Sequence, residues 1–199
     1  MDCDQIFPKL WVGSCPRNVQ EIDRLVHEAR ISAILSLLTD HDIERLGHDW
    51  PLCLAHCALR GVELHRFPII DGNSEDLRER LPDCVRMLDE LLVKGHTVYL
   101  HCVAGIERSP SVVIAYFCWC MGYELDAAAS YLDRCRGCSP DHEAIALATR
   151  DLLREGAIRE RIERKAAESS SGVVEEAGWK EATKLVLREL IAERRPPYP

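Results

Sequence analysis

The chain has 199 residues, of which 47% are hydrophobic and 29% are charged. This length and apolar content are enough for one sizeable core, and they exclude two ordinary domains side by side. The 33 acidic residues outnumber the 25 basic ones and leave a formal net charge of −8. The composition therefore lacks a basic footprint for nucleic acid or for an anionic membrane, and we expect neither partner.

Hydropathy and cysteine content predict the compartment. Residues 1–5 contain two acids and no apolar run, and no stretch approaches the roughly eighteen apolar residues of a membrane span. We therefore expect a cytoplasmic protein without a signal peptide. The ten cysteines, several of them in apolar segments, are expected to be reduced core thiols. Two close pairs, Cys53 with Cys57 and Cys135 with Cys138, lie too far apart in the sequence to suggest one zinc site, so no metal is expected.

The first half of the chain predicts strands that alternate with helices. Residues 10–13 predict a short strand, and apolar residues at helical spacing predict a helix over 18–29. The apolar, β-branched run over 31–38 predicts a buried strand. Only short helical segments are expected over 39–59, before the alternating residues 62–67 predict another strand.

A long helix is predicted over 74–94, because Ser74 supplies an oxygen-bearing N-cap and Asp76 places negative charge in the first turn. Pro82 is expected to bend this helix or to restart it. The remaining predicted elements are a strand over 97–100 and helices over 109–121, 125–135 and 140–162. This alternation predicts an α/β fold, with a central, mostly parallel sheet flanked by helices on both faces. Ligands of such sheets bind at the carboxyl ends of the strands, so the loop after residue 100 is the expected site.

The last part of the chain predicts an appendage to a domain over 1–164. Residues 165–172 are polar and serine-bearing and predict a linker, and residues 175–195 predict an amphipathic helix with Trp179 near its apolar face. This C-terminal helix either covers apolar surface of the domain, with Trp179 as a large anchor, or serves as a contact for a partner or a homodimer.

The loop after residue 100 carries the chemistry. It consists of His101, Cys102, Val103, Ala104, Gly105, Ile106, Glu107, Arg108 and Ser109. A cysteine six positions before an arginine is a weak signal alone, but this pair lies between a buried strand and a long helix. In that setting, successive backbone N–H groups and a helix N-terminus enclose an anion and stabilise a thiolate. We therefore predict a phosphate-binding loop over 103–108, with Cys102 as the nucleophile.

The polar side chains near this loop have distinct expected roles. Arg108 is expected to hold two phosphate oxygens bidentately, and Ser109 to donate a hydrogen bond to the sulfur when it leaves as thiolate. His101 is expected to support the loop geometry rather than to act as a base, because a thiolate needs none. Asp71 follows a strand and precedes a glycine, so it is the predicted acid that protonates the leaving oxygen and later deprotonates water. Asp76 is the second candidate, although its place in the first turn of a helix explains it better.

Residues 101–109 match the signature HCxxGxxRS and resemble the dual-specificity branch of the cysteine-dependent (protein tyrosine) phosphatases. Asp71 takes the position of that family's mobile acid loop, and the similarity extends from about residue 10 to about residue 153. The resemblance implies the cysteine-phosphatase fold, a catalytic domain over 1–164, and a reaction through a phosphocysteine intermediate without metal or cofactor. It also implies a phosphoprotein substrate, with phosphotyrosine and phosphoserine or phosphothreonine as the groups removed.

A second resemblance is narrower and concerns another substrate. Residues 13–17, Gly-Ser-Cys-Pro-Arg, resemble a segment of laforin-like glucan phosphatases, and residues 102–108 resemble their CxAGxGR loop except that Glu107 replaces a glycine. The alternative substrate is therefore a phosphoglucan. An inactive phosphate-binding scaffold is the alternative of another class. Such a scaffold typically loses the nucleophile or the arginine, and both are present here.

Glu107 and three cysteines leave alternatives open. An acidic residue inside the loop disfavours polyanionic substrates such as phosphoinositides, unless Glu107 points outward and pairs with a surface base. A reversible disulfide between Cys102 and Cys15, Cys53 or Cys57 is also open, because a reactive, exposed thiol is easily oxidised. The sequence does not choose among these three partners.

Overall fold

The computed structural model describes residues 1–154, 156–168 and 176–193. The strands of this part are β1 (Cys3–Phe7), β2 (Leu10–Gly13), β3 (Ala33–Ser36), β4 (Glu63–Arg66) and β5 (Val98–His101). They form one sheet in the order β1-β2-β5-β3-β4. β1 pairs antiparallel with β2, and the three other neighbouring pairs are parallel. The predicted, mostly parallel sheet is therefore confirmed.

Helices cover both faces of this sheet, as predicted. They are α1 (Val19–Glu28), α2 (Asp40–Leu46), α3 (Trp50–Leu59), α4 (Ser74–Val93), α5 (Arg108–Cys120), α6 (Leu125–Cys135), α7 (His142–Leu153), α8 (Gly156–Glu168) and α9 (Glu176–Ala192). Successive side chains of a strand point to opposite faces, so Ile34 and Tyr99 face one side while Leu35 and Leu100 face the other. The first side packs against α1 and α3. The second side packs against α4, α5, α6 and α7 in the larger core.

The parallel strands end side by side at one edge of the sheet. Gly13 of β2 and Ser36 of β3 are both in register with His101 of β5, and Ser36 is also in register with Arg66 of β4. Four connecting segments therefore leave the sheet at neighbouring points. The loop that follows His101 leads into α5, whose residues 108–117 are all buried, so the N-terminus of this helix is held firmly at the same edge.

Two predictions of secondary structure are wrong: one strand was not predicted, and two helices were predicted as one. Strand β1 is missing from the predicted elements, because its residues mix acids with apolar side chains and only Ile6 is buried. The predicted helix over 140–162 is in fact α7 and α8, which are separated around Arg154. The apolar residues of α7 enter the main core, whereas Ile158 and Ile162 of α8 pack against α9. The two helices therefore pack against different parts of the protein. The periodicity of apolar residues along the chain does not show this difference.

The start and the course of α4 also differ from expectation. Asn73 rather than Ser74 is the N-cap, and its Oδ1 accepts hydrogen bonds from the backbone N–H groups of Glu75 and Asp76 at 3.1 and 3.0 Å. The helix continues through Pro82 without interruption. Pro82 removes one hydrogen-bond donor from the helix, and burial of the surrounding apolar side chains maintains the helix across this gap.

The C-terminal helix α9 packs against α8 and against the domain. The residues buried between α8 and α9 are Ile158, Ile162, Ala166, Ala182 and Val186. Leu187 and Ile191 join the main core beside α4 and α5. Trp179, the expected anchor, is instead 39% exposed, because the face of α9 that meets the protein begins one turn later. The helix thus covers apolar surface, while a homodimer contact through it remains a prediction.

The boundary between the domain and the tail is only partly as expected. Residues 165–168 were predicted to begin a linker, but they form the last turn of α8. Helix α8 extends this far because Ala166 is fully buried against α9. The local sequence does not indicate this contact. The rest of the predicted linker, residues 169–172, lies outside the described residues. The division into a catalytic domain over 1–164 and a tail over 165–199 remains a prediction.

Candidate active site

The loop between β5 and α5 surrounds the thiol of Cys102. This residue is only 3% exposed, and its Sγ accepts hydrogen bonds from the backbone N–H of Gly105 at 3.2 Å and from Oγ of Ser109 at 3.4 Å. The N-terminus of α5, at Arg108, directs the positive end of the helix dipole toward the same loop. The structure therefore brings Cys102, Ser109 and Arg108 together, as the sequence predicted.

Segment 13–17 supports this loop from the side. Gly105 has a φ of +72°, which favours glycine, and a Cβ at this position would come within 2.5 Å of the carbonyl carbon of Gly13. The backbone N–H of Cys15 donates to the carbonyl of Val103 at 2.9 Å. The two glycines therefore allow two backbone segments to approach closely, and the loop takes its shape partly from this contact.

Arg108 is fully buried and only partly satisfied. Its Nη1 donates to Oδ2 of Asp42 and to the carbonyl of Ile69, each at 2.8 Å. Its Nε and Nη2 have no hydrogen-bond partner among the residues that the structure describes. Buried guanidinium donors are normally satisfied. Nη2 has no partner and Nε has only the ion pair with Asp71, so these two donors indicate a place for an anion with two acceptor oxygens.

Asp42 is a residue that sequence analysis missed. Its carboxylate is buried, pairs with Arg108, and accepts hydrogen bonds from the backbone and the hydroxyl of Thr39 at 3.0 Å each. Burial raises the pKa of Asp42, but the hydrogen bonds from Arg108 and Thr39 outweigh this effect and hold the pKa below its usual range. The pattern Thr39-x-x-Asp42 could have identified the start of α2 as a capping box, but not the arginine that Asp42 binds 66 residues later.

The two candidate acids occupy different environments. Oδ1 of Asp71 lies 2.9 Å from Nε of Arg108, an ion pair without an aligned hydrogen bond, and the Asp71 side chain is 55% exposed. Gly72, next along the chain, has a φ of +66°. The carboxylate of Asp76 is 13% exposed and is engaged by the N–H of Ile70 and by Nε of Arg80, both at 2.7 Å. Asp76 thus holds the loop that carries Asp71, whereas Asp71 faces the site.

His101 supports the loop from inside the core. Its Nδ1 lies 2.9 Å from the carbonyl of Cys102, and its ring stacks on Tyr99 with 5.7 Å between centroids. Burial lowers the pKa of His101 to about 4, so the ring is neutral near pH 7 and its Nδ1–H donates to the carbonyl of Cys102. This contact agrees with the expected supporting role.

Arg136 is the second residue that sequence analysis missed. Its Nε donates to the carbonyl of Gly105 at 2.8 Å, and its Nη2 donates to the carbonyl of Ala104 at 3.3 Å. The carboxylates of Asp2 and Asp4 neutralise the guanidinium at 2.7 and 2.6 Å. Because Arg136 binds the carbonyls, the loop turns its N–H groups in the opposite direction, toward the thiol. No local motif marks Arg136, which meets its two carboxylate partners across more than one hundred residues.

The other side chains of the loop line its outer surface. Val103 is half-buried, while Ala104 and Ile106 are exposed. Glu107 is half-buried and takes the N-cap position of α5 without a capping hydrogen bond from its side chain. The loop therefore presents apolar side chains and the acidic side chain of Glu107 at its outer surface.

The cysteines are all free thiols in the structure. Burial raises the pKa of Cys15 to about 12 and that of Cys57 to about 11. Cys15 is close enough to Cys102 for their charges to interact, but a disulfide between Cys102 and any of the three proposed partners remains a prediction. Within the described ranges, no three His, Cys, Asp or Glu side chains are grouped so that they could hold a metal ion.

Comparison with known proteins places this site in a family. The model of the dual specificity phosphatase catalytic domain matches residues 17–145. Phosphoglucan phosphatase LSF1, chloroplastic, of Arabidopsis thaliana is 37% identical over 153 residues, which cover 77% of this chain and 26% of that protein. Laforin of Mus musculus is 29% identical over 163 residues, covering 76% of this chain and 49% of laforin. Dual specificity protein phosphatase 22 of Xenopus tropicalis is 27% identical over 136 residues, covering 68% of this chain and 57% of that protein.

The chain spans between about a quarter and three-fifths of the length of these relatives. Among solved structures, Tk-PTP in its active form superposes with a TM-score of 0.61 at 23% identity, covering 80% of this chain and 97% of Tk-PTP, a likeness of fold. None of the described helices has the length and apolar content to cross a bilayer, and the predicted cytoplasmic location remains a prediction beside relatives named chloroplastic or amyloplastic. The chain belongs to the dual-specificity phosphatase catalytic-domain family, and with it to the cysteine-based phosphatases.

Proposed function

We propose that this protein hydrolyses phosphomonoesters through a phosphocysteine intermediate. Cys102 is the nucleophile, Arg108 binds the phosphate, Ser109 stabilises the sulfur as it leaves, and Asp71 acts as acid and then as base. The observation that carries the proposal is the buried guanidinium of Arg108, whose Nη2 has no partner and whose Nε has only the ion pair with Asp71. Arg108 ends the loop in which the sulfur of Cys102 already accepts hydrogen bonds from Gly105 and Ser109. Two donors on a planar guanidinium match two equatorial oxygens of a phosphoryl group.

In the first step, Sγ of Cys102 attacks phosphorus with an electron pair, and the bond from phosphorus to the ester oxygen breaks. The carboxyl of Asp71 gives its proton to that oxygen, so the carrier leaves as a neutral alcohol or phenol. In the ligand-free arrangement Asp71 pairs with Arg108. Binding of phosphate to Nε of Arg108 displaces this pair, and Asp71 then takes up a proton from solvent and lies beside the ester oxygen as the neutral acid.

In the second step, water attacks phosphorus and the bond from sulfur to phosphorus breaks, which releases inorganic phosphate. Asp71, now a carboxylate, takes the proton of the attacking water. Oγ of Ser109 donates to the sulfur as it regains its negative charge, and its distance of 3.4 Å already suits this role. Asp42 and Arg136 act through other groups: one orients Arg108 and the other holds the loop carbonyls away from the phosphate.

Two carriers of the phosphate are proposed. A phosphoprotein, with phosphotyrosine and phosphoserine or phosphothreonine, is supported by the similarity to dual specificity protein phosphatase 22. A phosphoglucan ranks beside it, because the relatives named phosphoglucan phosphatases are 37% and 35% identical to this chain. The segment 13–17 that motivated the glucan resemblance also contacts the loop directly, through Gly13 and Cys15. An inactive scaffold is disfavoured, since both Cys102 and Arg108 are present and in place.

The test uses p-nitrophenyl phosphate, phosphopeptides and a phosphorylated glucan with the full chain. Cys102→Ser should lower kcat by about 10⁴-fold or more on every substrate, because the nucleophile is lost. Cys118→Ser is the matched control, since Cys118 is a half-buried thiol far along α5 from the loop, and its activity should stay within about twofold of the wild type. Turnover by Cys102→Ser at the rate of the control would refute the mechanism.

The acid is tested by its leaving-group dependence. Asp71→Asn should slow an alkyl phosphate by about 10²- to 10⁴-fold but p-nitrophenyl phosphate much less, because p-nitrophenolate departs without a proton. Asp76→Asn should show no such difference between leaving groups, since Asp76 contacts the loop and not the substrate. Equal slowing of both substrates by Asp71→Asn would mean that another group is the acid.

A further inference from the structure

Glu107 is held at the rim of the phosphate loop by its backbone. The carbonyl of Ile106, on one side, accepts a hydrogen bond from the N–H of Ser139 at 2.8 Å. The carbonyl of Glu107 itself accepts from the N–H and from Oγ of Ser111 at 2.9 and 2.8 Å. Arg108, the next residue, is fully buried. The Glu107 side chain therefore starts from a fixed point, immediately next to the phosphate-binding guanidinium.

The charge of Glu107 is not neutralised by a nearby base. Within the described part of the chain, its carboxylate forms neither an ion pair nor a hydrogen bond, so the alternative in which it pairs with a surface base is wrong there. Burial raises the pKa of Glu107, and the charges of Asp71 and Asp141 raise it further, against the opposite effect of Arg108. The carboxylates of Asp71 and Asp141 thus both lie within electrostatic range of Glu107, and Asp71 also pairs with Arg108.

Two of the cations around the site are already engaged, whereas the side chain of Arg17, in the segment 13–17, is exposed and forms no ion pair within the described residues. Arg136 lies behind the loop and is paired with Asp2 and Asp4, and Arg80 is paired with Asp76. Nη2 of Arg108 and its Nε, once phosphate has displaced Asp71, match one phosphate dianion. A second negative group on the same carrier, on the side of Glu107 and Asp71, would meet carboxylates rather than another base.

We propose that Glu107 is a specificity-determining residue, which with Asp71 and Asp141 selects an isolated phosphomonoester on an uncharged carrier and disfavours phosphates flanked by further negative groups. This inference rests on the proposed hydrolase activity and narrows its substrate class. The sugar chain of a phosphoglucan and a phosphopeptide with neutral flanks both meet the requirement. Acidic phosphopeptides and carriers with vicinal phosphates do not.

The experiment measures a ratio, so that any change common to all substrates cancels. Two phosphotyrosine peptides differ only in their flanks, which are neutral in one and acidic on both sides in the other. We expect the wild type to favour the neutral peptide by about 5- to 20-fold in kcat/KM at low salt, as repulsion between nearby like charges in water-exposed surroundings requires. This ratio should fall toward one as the salt concentration rises, because the Debye length shortens.

A charge series at position 107 separates repulsion from shape. Glu107→Gln keeps the size of the side chain and should lower the ratio by several-fold, while Glu107→Lys should bring it to one or below. Glu124→Gln is the matched control, since Glu124 is an exposed carboxylate bound to Lys184 at the far end of α5, and it should leave the ratio as in the wild type. A ratio that is the same in all three variants and in the wild type would overturn the proposal.

The two uncharged carriers are distinguished in a further arm. A monophosphorylated malto-oligosaccharide is compared with the neutral peptide, and Glu107→Lys should leave the ratio between these two unchanged because neither has additional charge. The carrier that the wild type turns over faster identifies the source of the phosphate. Absence of turnover of p-nitrophenyl phosphate by the wild type would refute the hydrolase itself. If the wild type turns over p-nitrophenyl phosphate normally but the peptide ratio does not change with the residue at position 107, this inference alone is refuted.

Discussion

The loop end of the molecule and its C-terminal helix pair are stabilised in opposite ways. At the loop, the buried groups are polar: Arg108 meets Asp42, Arg136 meets two backbone carbonyls, and His101 meets another. Between α8 and α9 the buried groups are apolar, and charged pairs such as Arg161 with Glu189 lie at the edge. The first region depends on a few directional contacts, and the second on area removed from water.

This difference determines how each region responds to change. A buried ion that loses a buried charge partner is left poorly solvated, so one substitution at the loop has a large effect. An apolar contact that loses a methyl group loses a proportionate amount of burial, and its neighbours partly close the gap. At the loop end, one substitution therefore has a large effect on the free energy of unfolding. In the helix pair, the stabilisation is shared among many residues.

The largest effect is expected from removal of the carboxylate that orients Arg108. Asp42→Ala should lower the free energy of unfolding by about 3–5 kcal/mol, because a buried guanidinium loses its charge partner. The affinity for vanadate, which occupies a phosphate site, should fall as well. Asp40→Ala is the control, since Asp40 lies on the same helix with its side chain 89% exposed, and it should change stability by less than about 0.5 kcal/mol. The free energies of unfolding are measured by urea denaturation. Equal losses in the two variants would contradict the expectation that a buried charge partner stabilises more than an exposed one.

An intermediate effect is expected from acid. The pKa of His101 is about 4 in the folded protein and about 6.5 in an unfolded chain, so the unfolded chain binds the proton first as the pH falls. This group contributes its full stabilisation above pH 6.5, and about 3 kcal/mol of it is lost as the pH falls from 6.5 to 4. His101→Gln has no such proton to bind, so its free energy of unfolding should fall less over this range. Parallel pH profiles for the wild type and His101→Gln would contradict the buried, neutral state.

The smallest effect is expected in the helix pair. Val186→Ala should lower the free energy of unfolding by about 2 kcal/mol, the transfer of two methylene equivalents plus a small cavity. Its kcat/KM should remain within about twofold of the wild type, because α9 contributes nothing to the loop. Leu185→Ala is the neighbouring control, with a side chain 41% exposed, and should change stability much less. A loss of activity in Val186→Ala without a loss of stability would show that the two regions are coupled.

Local patterns account for most of the fold and for the reacting groups. Helical spacing of apolar residues predicted α1, α5 and α6 closely, since each helix presents one continuous set of side chains to the core. Cys102, Arg108 and Ser109 were found because the loop is contiguous in sequence and its chemistry depends on local backbone geometry. Asp71 was reached because parallel strands end at one edge, which brings their following residues together.

The residues that hold the loop in place were decided only by tertiary structure. Asp42 meets Arg108 across 66 residues, and Asp2 meets Arg136 across 134. Such contacts follow no sequence periodicity and no local motif, because they form between buried opposite charges that only the fold brings together. Tertiary structure also decided β1, which is a strand because it forms hydrogen bonds with β2. It likewise decided α8, which packs against α9 instead of continuing α7. The sequence by itself thus determined most of the elements and the loop of the proposed reaction, because both depend on neighbours along the chain. Folding decided which distant partners neutralise the buried charges and orient that loop.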